Sequence, residues 1–82
     1  MMVNQTETLL AIRRERENLE WINGSLSWLR QKYGDRYIAV QDRKVIDSEA
    51  DFEALFARVK KLKNPESVTI EYVTALEYLW ML

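Results

Sequence analysis

The chain has 82 residues, 12 of them Lys or Arg and 13 Asp or Glu, for a net charge of -1, with no Cys and no His. That length suits one domain, expected over residues 1–82, burying only roughly 60% of its unfolded surface. The composition excludes disulfides, zinc sites of the Cys/His kind and Ser-His-Asp or Cys-His nucleophiles. With oligomerisation left as the remaining source of added stability, and no bulk attraction to phosphate, the first expectation is a partner made of protein.

The amino terminus shows no basic-then-apolar pattern of a signal peptide, and no apolar run approaches the ~20 residues of a bilayer span. A cytoplasmic location with no membrane partner is the default expectation, and a Cys-free chain fits a reducing compartment.

In chain order, Asn4-Gln5-Thr6-Glu7 reads as a capping box. Leu9, Ile12, Leu19, Ile22, Leu26, Leu29 and Tyr33 then recur at spacings that hold one helical face, interrupted only at Arg16. Arg30 and Lys32 suit the negative end of a helix, and Gly34 predicts a left-handed residue that terminates it. Asn23-Gly24-Ser25 is a turn signal inside this segment, with Ser25 able to cap a second helix. Because the apolar phase continues through it, the spacing favours one long helix from Asn4 to Tyr33, straight or kinked, rather than two, within a helical segment of residues 1–33.

A ββαβ unit is expected over 36–74. Tyr37-Ile38-Ala39-Val40 and Lys44-Val45-Ile46-Asp47 read as strands joined by a tight turn at Gln41-Asp42-Arg43. Ser48 with Asp51 three residues on predicts the cap of a helix carrying Phe52, Leu55, Phe56, Val59 and Leu62, and Asn64-Pro65 ends it. Val68 to Thr74 alternates as a third strand, and residues 75–82 form an apolar tail. The fold class is α+β, a three-stranded sheet with helices on one face, in the order 2-1-3.

Tyr33-Gly34-Asp35-Arg36-Tyr37-Ile38-Ala39-Val40, the turn, and Lys44-Val45-Ile46 resemble the signature of a family of short prokaryotic proteins known only as a domain of unknown function. The resemblance runs on through Phe52 to Leu62 and Ile70 to Val73, and upstream to about Glu17. It implies a fold and no activity. It also implies helix formers where this chain has Asn23-Gly24, so that Gly24 is a departure and a continuous helix is supported.

No catalytic residue, cofactor or metal site emerges. Asp47, Glu49, Asp51 and Glu53 could serve paired-carboxylate or cation chemistry, but acids are ordinary at helix N-termini. Two glycines cannot make a phosphate loop. Arg13, Arg14 and Arg16, and Arg58, Lys60, Lys61 and Lys63, could contact nucleic acid; interleaved Glu15 and Glu17 and helix-dipole compensation make solvated faces the plainer reading. Most aromatic residues read as core, with Trp21 and Trp80 the better candidates for interface anchors.

A helix reaching Tyr33 would be roughly 45 Å long, against about 30 Å for a compact body of this size. One end must overhang, carrying Leu9, Leu10 and Ile12. The expectation is a non-enzymatic interaction module, a homodimer through the first helix, with Leu76, Leu79 and Trp80 of the tail as a second docking element for the same or a heterologous protein partner. The alternative is a small nucleic-acid-associated, antitoxin-like regulator that acts as a dimer through Arg13, Arg14 and Arg16.

Overall fold

A computed structural model describes residues 5–75, with side chains from Ile12 onward. The elements run α1 (Gln5–Gly24), α2 (Leu26–Tyr33), β1 (Arg36–Gln41), β2 (Lys44–Glu49), α3 (Phe52–Val59), a 3-10 turn (Pro65–Ser67) and β3 (Thr69–Val73). The α+β class and the strand order β2-β1-β3 are those expected, and both pairings are antiparallel.

The central strand explains the layering. Tyr37-Ile38-Ala39-Val40 is apolar at both parities, so β1 needs cover on both faces. Ile38 and Val40 pack with Val73 beneath Ile22 of α1 and Leu29 of α2, while Ala39 packs beneath Leu55 and Val59 of α3 on the other side. The expectation of helices on one face therefore holds for α1 and α2 only; α3 covers the opposite face.

The long first helix is parted. Ser25 leaves helical geometry at φ -116°, its N–H donating to Ile22 O at 3.1 Å, and α2 restarts with Leu29 N–H donating to Ser25 O at 2.9 Å. Asn23 and Gly24 are weak helix formers, and Ile22 before the break and Leu29 after it both pack over the sheet. Asn4, the expected cap of α1, lies outside the described residues.

Two further local expectations are corrected. Gly34 is not left-handed (φ -55°, ψ 136°); Asp35 takes that role at φ 62°. Glycine is required at 34 for space, since a Cβ there would meet Arg30 O at 2.7 Å and Ala75 Cβ at 3.0 Å. The cap of α3 is Asp51, accepting from Ala54 N–H at 3.0 Å, and Ser48 instead belongs to β2. The hairpin turn is Asp42-Arg43, with φ 52° and 60°, the paired left-handed residues of a type I′ turn.

A buried asparagine sets the height of α1 on the sheet. Asn18, 2% exposed, donates from Nδ2 toward Val40 O (3.2 Å), Ser67 O (3.2 Å) and Thr69 Oγ1 (3.1 Å). Gln41 donates in turn to Ser67 Oγ, which donates to Asn64 O at 2.7 Å. These contacts place Asn18 at the hairpin-turn end of the sheet.

Candidate functional site

Because Asn18 sits at that end and Ile22 packs inward over Ile38, everything in α1 before Asn18 projects past the sheet. Residues 12–17 are all exposed, and Ile12 is 50% exposed although it shares a stripe with buried Ile22 and half-buried Leu19. The principal extents are 47 × 28 × 19 Å. Leu9 and Leu10 fall on the same projecting helix, but their side chains lie outside the described residues, as do Leu76, Leu79 and Trp80.

Trp21 is half-buried at the α1–α2 bend. Its ring meets Trp28 edge-on at 6.3 Å, and Trp28, 47% exposed, meets Tyr33 at 6.1 Å with the Lys32 ammonium 5.4 Å above it. Trp21 and Trp28 wall an open cleft of about 450 Å³ floored by Gly24, Ser25 and Ser27.

A second aromatic row, taken as core from the sequence, is partly solvent-facing. Tyr37 stands between Tyr72 (5.0 Å) and Phe52 (5.4 Å), and Phe52 stacks on Phe56 (5.6 Å). Leu55 and Val59 take the centre of the α3 face, leaving Phe52 and Phe56 on its flank. The i, i+3, i+4 pattern of α3 was legible; which of its apolar residues would lie at the margin was not.

Three of the four clustered acids have structural partners. Asp47 accepts a bidentate pair from Arg58 (2.8 and 3.0 Å), Glu49 lies 3.7 Å from Arg58 and 3.8 Å from Arg36, and Asp51 caps α3. Hydrogen bonding from Arg58, opposed by partial desolvation, holds the Asp47 carboxyl below its ordinary range. Among the described residues no group of carboxylates is disposed to hold a metal ion.

The basic residues divide differently. Arg13, Arg14 and Arg16 ride on the projecting end of α1, while Lys60, Lys61 and Lys63 follow α3 toward the 3-10 turn. Both groups are exposed and lie at the hairpin-turn end, on opposite faces of the sheet.

The sequence profile of a family of unknown function (DUF5678) matches residues 29–74, more than half of the chain. The chain belongs to the DUF5678 family. The matched part runs from the middle of α2 through the end of β3, so it holds the whole sheet and α3. Within this DUF5678 protein the projecting part of α1, Trp21 and the bend lie upstream of the match, as does the stretch from Glu17 included in the sequence resemblance. No curated protein and no solved structure matches the chain. Among the described residues no helix is long and apolar enough to cross a membrane.

Proposed function

We propose that this DUF5678 protein is a non-enzymatic interaction module that self-associates through the projecting part of α1. The observation that carries the reading is the fate of one apolar stripe: buried at Ile22 and half-buried at Leu19, it comes out into solvent at Ile12, beyond the interruption at Arg16. An apolar helix face beyond the body is most simply covered by another helix, and a second copy presents the same face. A small core without disulfide or metal gains stability from such pairing.

Sedimentation of the full chain tests this. A dimer mass at micromolar concentration is expected, reverting to monomer on Leu9→Asp with Ile12→Asp while the far-ultraviolet spectrum keeps its shape. A monomer for the wild-type chain at that concentration contradicts the reading.

A further inference from the structure

The net charge of -1 conceals a separation of charge along the molecule. Asn18 bonds to Val40 and Ser67, and Gln41 pairs with Lys44, so the overhang of α1, the hairpin turn and the segment after α3 meet at one end. The overhang contributes Arg13, Arg14 and Arg16, and the turn contributes Arg43 and Lys44. Lys60, Lys61 and Lys63 complete the set, and all eight side chains are exposed. They are eight of the twelve basic residues, set against five of the thirteen acids (Glu7 by its place in α1, Glu15, Glu17, Asp42 and Glu66), so this end carries an excess of three positive charges. The remainder of the described residues carries four cations and seven acids.

The ion pairs confirm the asymmetry. Those among the described residues join Arg36 and Arg58 to Asp47 and Glu49, and none involves a cation of the basic end. None of its cations has an ion-pair partner among the described residues, and the two helical clusters lie on opposite sheet faces with the turn between them. We infer that this end binds the phosphate backbone of a nucleic-acid duplex. Clustered exposed Lys and Arg without carboxylate partners are the footprint of counterion-releasing phosphate contacts. A duplex is favoured over a single strand because the exposed rings Trp28, Phe52 and Tyr72 belong to α2, to the start of α3 and to the far end of β3, and the one exposed ring that adjoins a cation of this end, Phe56, already carries the Lys60 ammonium 5.0 Å above it. Contacts of this kind read no sequence, so affinity should be moderate and set by salt.

The inference holds for monomer or dimer, since Arg13 and Arg14 lie off the apolar stripe of α1; Arg16, which interrupts the stripe, would be withdrawn into the seam of a dimer. Fluorescence anisotropy of the full chain against labelled duplex DNA, duplex RNA and the corresponding single strands tests it. Binding to either duplex is expected to weaken roughly 100-fold between about 50 and 200 mM salt if about four phosphates are engaged. Lys61→Glu with Lys63→Glu, and separately Arg13→Glu with Arg14→Glu, should each weaken it ~10-fold or more, whereas Lys32→Glu, in the last turn of α2, should leave it unchanged. Preference for one duplex names the source of the phosphates. No binding at low salt, tighter binding to single strands, equal binding to polyglutamate, or equal loss with Lys32→Glu would each overturn the inference.

Discussion

At the scale of single residues, Asn18 holds α1 to the sheet through buried hydrogen bonds to Val40, Ser67 and Thr69. Asn18→Ala leaves Val40 O and Ser67 O without that donor in the interior, and should lower unfolding free energy by about 1–3 kcal/mol in a urea titration. Gly34→Ala forces a methyl against Arg30 O and should also cost about 1–3 kcal/mol, because the obstacle is backbone that cannot swing aside. Asp47 makes a prediction about pH. Its folded value is lowered from an ordinary 3.8 by hydrogen bonds from Arg58, so the pair stabilises the fold above that value and the contribution fades as pH falls through the lowered one. The stability gap between wild type and Asp47→Asn should accordingly be present at neutral pH and close in strong acid. Asp51 as a cap was within one turn of legibility. Asn18 was invisible, since one Asn beside Glu17 and Glu20 reads as part of a wet face until the sheet that meets it is known.

At the scale of elements, the parted helix shows how far periodicity reaches. A single residue leaving the helix at Ser25 removes no position from the count, so the apolar stripe keeps its phase across a real break. The turn-prone dipeptide was the better witness than the unbroken stripe. Gly24 itself is not demanded by packing, as a Cβ there meets nothing within 4 Å and its φ is not positive. Gly24→Ala should therefore stabilise the chain by about 0.5–1 kcal/mol, seen as a higher melting temperature. The hairpin gives the converse case, because Arg43 occupies a left-handed position that costs an L-residue roughly 1–2 kcal/mol. Arg43→Gly should recover most of that in the same measurement. The strand order followed from the apolarity of β1, and the same apolarity, present at both parities, also carried the unread signal that helices lie on both faces.

At the scale of the whole molecule, two properties arise that no local pattern states: a helix that outruns its body, and a charge separation hidden by a near-zero net charge. The overhang was legible, because helix length and domain diameter are both set by residue number. The gathering of three basic clusters was not, since it depends on where Asn18 fixes α1 and on the path of the segment after α3. Self-association through α1 is the claim on which the functional account turns. The chain contains no cysteine, so Arg14→Cys carries a single spin label on the projecting helix at a position off the apolar stripe. Dipolar spectroscopy of that labelled chain at micromolar concentration should give one intermolecular distance of roughly 20–40 Å, as expected for labels on the outer sides of helices packed 8–10 Å apart, and it should vanish with Ile12→Asp. A trace with no intermolecular modulation, from a chain shown to be folded, would contradict the account.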